Sequence, residues 1–366
     1  MNDEIEEPIE VEKEILKNPY ESVLRFAERR LKFVGHKIFS YVALMPISLV
    51  SPDLQYEDTT IRSNVHVMLL SQPGSGKSLT ESILKQISLN PLDFTAITSA
   101  ATEEELYGMK YATLLVQDMS RIIQDKLMVK TLEGLCGEEK RAGSITLSRG
   151  DKRFNIDVSA FLAGVPSDIT SYISGGLIFR FSPILILHNK ETHNKIGKEI
   201  AMNIGKNSKS YEISEIQKLY KLIYQIQLNK NKDFPRIDGY VFDDLQRDKI
   251  YKKWEDTLEL INPNESFNWF RELLGGFRYM AVSSILNMNN RKIEESNKKR
   301  LIVPSSQDLK LGLFLMANEI KLKSYLLKCD KISRRIKDVK YLEKYRDNDK
   351  INNLTFELLK VIMNKD

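Results

Sequence analysis

The chain is poor in the residues that cross-link or ligate. Its 366 residues hold two cysteines, Cys136 and Cys329, and four histidines. Two thiols exclude a disulfide framework and suit a reducing compartment. So few Cys and His, spread along the chain, also exclude a structural zinc cluster; His188 and His193 read as surface residues. Long apolar runs are lacking too. The apolar patch Ile38 to Val50 is interrupted by Ser40 and Pro46 and is shorter than the ~20 residues a bilayer span needs. It reads as a buried helix, and no membrane partner is expected. The N-terminus is acidic, with Glu4, Glu6, Glu7, Glu10, Glu12 and Glu14, so it reads as a mobile tail over residues 1–18 and not as a secretory leader. No repeat of solenoid period stands out. These absences leave a cytoplasmic chain as the expectation.

What is present is a globular composition, with 42% hydrophobic and 29% charged residues, on a length that accommodates two or more domains. Net charge is +5. That balance is compatible with a polyanionic partner without requiring one.

The organising stretch is Asn64 to Lys85, NVHVMLLSQPGSGKSLTESILK. Val65 to Leu70 is an apolar run long enough for a buried strand. A Gly-, Pro- and Ser-rich turn follows, then helical spacing at Leu79, Ile83 and Leu84. Strand, Gly-rich loop and helix is the setting in which backbone N–H groups wrap nucleotide phosphates. Pro73, Gly74, Ser75, Gly76, Lys77, Ser78 and Leu79 are the candidate cofactor-binding residues. Gly74 and Gly76 permit the bend, Lys77 would meet the β and γ phosphates, and Ser78 would place its hydroxyl on Mg²⁺. The motif's first glycine is replaced by Ser71.

Further strands are expected at Ala112 to Val116, Ala160 to Ala163 and Pro183 to Leu187, with a short apolar run at Phe94 to Ile97. The first of these ends in Gln117-Asp118, where an NTPase places the carboxylate that holds Mg²⁺ and orients water. Ser144 to Ser159 has the alternation of a hairpin, with Arg149, Lys152 and Arg153 at its tip. Strands alternating with helices argue for a parallel sheet with helices on both faces, and ligands in such sheets bind at the carboxyl ends of the strands. From about Asn189 the pattern becomes helical throughout: Ser214 to Gln227, Phe242 to Ile261, Ser266 to Met288 and Leu309 to Lys328. Asn289 to Lys299 reads as a polar connection.

Taken with their order, these motifs resemble the AAA+ module of the minichromosome-maintenance helicases and their reduced relatives, over roughly residues 30 to 330. The matching features are Gly35-His36 with its apolar helix, Ile61-Arg62 before the strand, Ser71 to Ser78, Gln117-Asp118, and the hairpin. They extend to Leu177-Ile178-Phe179-Arg180-Phe181, Arg271-Glu272-Leu273 with Arg278, and Ser305 to Leu315. The resemblance implies an α/β fold of the P-loop NTPase (AAA+) class: a parallel sheet flanked by helices over residues 19–190, then an all-α lid and C-terminal helical region over residues 191–366. It implies ATP and Mg²⁺ as cofactors, with Ser78 and Asp118 at the metal and Asp118, Gln117, Arg180 and Arg271 in catalysis. It implies DNA contacts, independent of sequence, through Arg149, Lys152 and Arg153. It also implies self-association into a ring, a hexamer in that family, and a place in the cytoplasm or on the nucleoid.

The chain departs from the family at several points. The usual Asp-Glu pair is Gln117-Asp118, and the sensor Asn is Val165, for which Ser159 or Ser167 could substitute. Two readings therefore stand: an ATP-driven helicase or DNA remodeller, and a nucleotide-gated DNA-binding or assembly protein with little or no hydrolysis. A small-molecule kinase fits poorly with the long helical second half.

Overall fold

The computed structural model describes residues 10–30, 36–93, 104–137, 156–168, 176–187, 190–203, 211–261 and 269–333. Helices α1 (Lys13–Lys17), α2 (Pro19–Arg30) and α3 (His36–Ser48) open the chain. The apolar patch is this third helix and the turn after it, buried from Phe39 through Val50. The polar connection after it forms an antiparallel hairpin, β1 (Leu54–Tyr56) against β2 (Thr59–Ile61). Its arms are three residues long and mostly exposed, too short for alternation to show in the sequence.

The main sheet then forms from β3 (Val67–Ser71), α4 (Lys77–Ile87), β4 (Pro91–Asp93), β5 (Tyr111–Val116), α5 (Ser120–Gln124), α6 (Lys126–Leu135), β6 (Asp157–Gly164) and β7 (Ser182–Ile186). Its five strands lie in the order β4-β5-β6-β3-β7, and every pair is parallel. Apart from β4, the strands are buried on both faces, which is why they read as continuous apolar runs. Val67 and Leu69 of β3 face one core, and Met68 and Leu70 face the other. In β6, Phe161 and Ala163 take the first core, and Ala160 and Leu162 the second.

The remainder comprises α7 (Lys190–Asn203), α8 (Tyr211–Gln227), β8 (Gly239–Tyr240), α9 (Asp244–Ile261), α10 (Phe270–Leu286), β9 (Lys292–Ser296), β10 (Lys299–Val303) and α11 (Ser306–Ser333). The first core joins residues of α2, α3, α4, α8 and α10 to the sheet. The second joins α5, α6 and the last turns of α11.

The expected all-α second half is corrected here: β8, β10 and β9 form a three-stranded sheet. The stretch read as a polar connection is the β9–β10 hairpin. Asn297 and Lys298 turn it with φ of 52° and 63°, the left-handed pair that a two-residue hairpin turn demands. Charged residues at the exposed positions hid the alternation. The short run Phe94 to Ile97 and the hairpin tip with Arg149, Lys152 and Arg153 lie outside the described residues.

Candidate phosphate-binding site

Three strand ends come level at one edge of the sheet. Leu70 pairs with Gly164, and Val116 with Leu162. Asp118, two residues beyond Val116, therefore stands level with Gly164 and with the end of β3. The Met119 N–H fixes this by donating to the Ala163 carbonyl at 2.9 Å. With neighbouring strands about 4.8 Å apart, Asp118 lies about 10 Å to the side of β3.

Between β3 and α4 the chain turns sharply. Gly74 and Gly76 take φ of 78° and 87°, where a Cβ would be strained. Gly76 is the N-cap of α4 and offers no side chain to its first N–H groups. Those donors and the helix dipole together favour an anion. Ser71, standing where the motif has glycine, is fully buried, and the Ser75 hydroxyl is 2.6 Å from both the Ser71 hydroxyl and the Gln72 carbonyl. The serine thus braces the loop from within. Pro73, Gly74 and Ser78 are exposed at its rim, as is Leu79.

Lys77 sits at the centre of this edge. Its Nζ donates to the Ser71 carbonyl at 2.8 Å and to the Gly164 carbonyl at 3.4 Å, spanning the ends of β3 and β6. Burial lowers its pKa, and the Asp118 carboxylate partly offsets that. Asp118 Oδ1 accepts from the Ser120 N–H at 3.0 Å, which holds the turn leaving β5. Among the described residues no three His, Cys, Asp or Glu gather into a metal cage. Magnesium bound with a nucleotide needs none, because phosphates and water supply most of its oxygens. A Ser78 hydroxyl and an Asp118 carboxylate are a fitting protein share.

No model of a known protein family matches the chain, and no curated protein matches it.

Sequence reasoning missed Glu81, one turn beyond Lys77. It is 3% exposed. Burial first, then the neighbouring Asp93, raises its pKa to about 7, while Gln117 pulls it down. The one available signal was a Glu inside the buried face of that helix. Spacing put Leu79 inward, but the buried positions are Thr80, Glu81, Ile83, Leu84 and Ile87, and Leu79 is 46% exposed.

Ser159 cannot substitute for the sensor Asn. It lies within β6, fully buried, with its hydroxyl 3.2 Å from that of Ser48. Ser167 follows the strand end in a 3-10 turn, Pro166–Asp168.

The candidate Arg180 is not at the loop. Ser182 pairs with Val67, so Arg180 lies beyond the opposite, amino end of the strands. The length of β3 separates it from the loop, on the order of 16 Å. Its Nη1 is 3.0 Å from Glu133 Oε1. Arg271 is in the first turn of α10. That helix is tied to the same amino end: Arg278 Nε donates to the Arg62 carbonyl at 3.1 Å, and Tyr279 meets Ser182. Arg62 itself is buried, donating to the Leu135 carbonyl at 3.1 Å.

Proposed function

We propose that this chain is an ATP-binding protein of the AAA+ type, similar to the minichromosome-maintenance helicases, that acts on DNA as an oligomeric ring. The observation that carries the reading is the loop edge: a left-handed Gly74/Gly76 turn, an uncapped α4, and the Lys77 ammonium held between two strand ends level with Asp118. Lys77 would leave its carbonyl partners for the β and γ phosphates, as a charge-assisted contact outcompetes a neutral one. Ser78 and Asp118 would hold Mg²⁺, which when bound supplies positive charge against the charge building on the phosphates. With Gln117 in place of a second acid, Asp118 would either hold Mg²⁺ or orient the attacking water.

Arg180 and Arg271 support an oligomer. Arg180 lies beyond the amino end of the sheet, too far to serve the loop of its own chain, so a neighbouring copy would receive it, with Arg271 as its companion. There they would act as arginine fingers do. The helices of the second half, α9 to α11, would be the lid of that module. Arg149, Lys152 and Arg153 would contact DNA phosphates without reading sequence.

A second reading is favoured by one specific observation. The residue at the end of β5 is Gln117, an amide with no charge to offer, and the sensor position holds Val165, which has no polar side-chain atom. Both features suit a nucleotide-gated DNA-binding or assembly protein with slow turnover. ATPase rate with and without single-stranded DNA, beside a Lys77→Ala control, separates the two. DNA-stimulated turnover that the variant lacks supports the motor. Mg²⁺-dependent binding without turnover supports the switch, and failure to bind ATP removes both.

A further inference from the structure

The Arg180 guanidinium is not loose. It follows the 3-10 turn Leu177–Phe179 and enters β7 two residues later. Its Nη1 donates to Glu133 Oε1 at 3.0 Å and to the Gly176 carbonyl at 3.3 Å. Glu133 comes from α6, a different element, so the contact is built by the fold and not by local sequence. The turn is shaped to admit it: Gly176 has φ of 73°, and a Cβ there would fall 2.6 Å from Glu133 Oε1. Yet the pair is open, with side chains 23% and 28% exposed, and ion pairs that open contribute little to stability. The arrangement therefore does more for the orientation of Arg180 than for the fold.

A guanidinium is a planar fork that serves two acceptors at once. Among the described residues, Glu133 and Gly176 engage only Nη1, and Nε is buried without a hydrogen-bond partner. Nη2 is left for a further acceptor. We propose that Glu133 is the positioning residue of Arg180, gripping one corner of the guanidinium so that the other is presented to the triphosphate held by a second copy of this chain. The inference rests on reading Arg180 as a group that acts on a neighbour's nucleotide.

The test uses the full chain and four variants: Arg180→Ala, Glu133→Gln, Glu133→Asp and Gly176→Ala. Steady-state ATPase is measured with thermal melting as the fold check. The ATP concentration that drives self-association is the second readout, and it carries the same ordering where turnover is slow. Arg180→Ala is expected to lose at least about 100-fold in kcat. Glu133→Gln is expected to lose about tenfold in kcat with KM within about twofold, because the substrate's own site is untouched. Glu133→Asp regains part of the loss. Gly176→Ala, which keeps every charge but displaces the carboxylate, falls as Glu133→Gln does. If Arg180→Ala is inactive while Glu133→Gln matches wild type, or exceeds it, Glu133 is no positioning residue and the inference fails alone. If Arg180→Ala keeps wild-type activity and assembly, the neighbour-acting reading fails, and the inference with it.

Discussion

The hydroxyls of Tyr279 and Ser182 lie 2.5 Å apart, both buried, where α10 meets the first residue of β7. Tyr279 also donates to Glu319 of α11, and the Lys323 ammonium is 2.7 Å from Glu272 and 2.6 Å from Glu319. A buried polar chain thus runs from two residues past Arg180 to the residue next to Arg271. It couples the ends of the chain's two candidate arginine segments through one ammonium group. Lys323→Ala leaves two buried carboxylates without their cation, and should cost about 3–5 kcal/mol by urea unfolding. Replacing all three, as Lys323→Met with Glu272→Gln and Glu319→Gln, should recover most of the loss. An equally unstable triple variant would show that the charges are not the cause.

Ser71 is expected to be structural where the motif's glycine is permissive. Ser71→Ala removes one hydroxyl contact but leaves Ser75 bonded to the Gln72 carbonyl. The expected cost is about 0.5–1.5 kcal/mol, with ATP affinity within about threefold of wild type. A large loss of affinity without a loss of stability would mean that Ser71 touches the nucleotide instead.

Glu81 makes stability depend on pH in a defined direction. Its pKa is raised from 4.5 to about 7, by burial first and Asp93 second, so the folded chain binds that proton more tightly than the unfolded one. The stability it contributes is full below its unfolded pKa and is lost as pH rises through about 7. Lys85 and Asp93, paired beside it, remain in the Glu81→Gln variant, which cannot titrate at this position. The melting temperature of wild type minus that of the variant should therefore fall between about pH 5 and about pH 8. A constant difference across that range would contradict the raised pKa.

Much of the sheet was legible because β3, β5, β6 and β7 are buried on both faces and so spell continuous apolar runs, whereas the three-residue, half-exposed β4 does not. Leu70, Val116, Ala163 and Ile186 lie at or within two residues of strand ends that the runs alone indicate. The loop was legible because a left-handed turn demands glycine at Gly74 and Gly76. Glu81 was not, because its neighbours Asp93 and Gln117 come to α4 only in three dimensions. Nor was the phase of α4, which the sheet rotates so that Thr80, and not Leu79, faces inward. The β9–β10 hairpin was hidden by charge at positions that face solvent. Glu133 is one more acidic residue on a helix until the fold sets it against Arg180.

The central claim is that the Gly74 to Ser78 turn closes on the triphosphate of ATP with magnesium. Equilibrium binding of fluorescently labelled ATP, to wild type and to Lys77→Ala, tests it most directly. The account predicts saturable binding that requires Mg²⁺ and that weakens at least about tenfold in the variant, the loss of one charge-assisted hydrogen bond. Absence of saturable binding, or equal affinity in the two proteins, would contradict it.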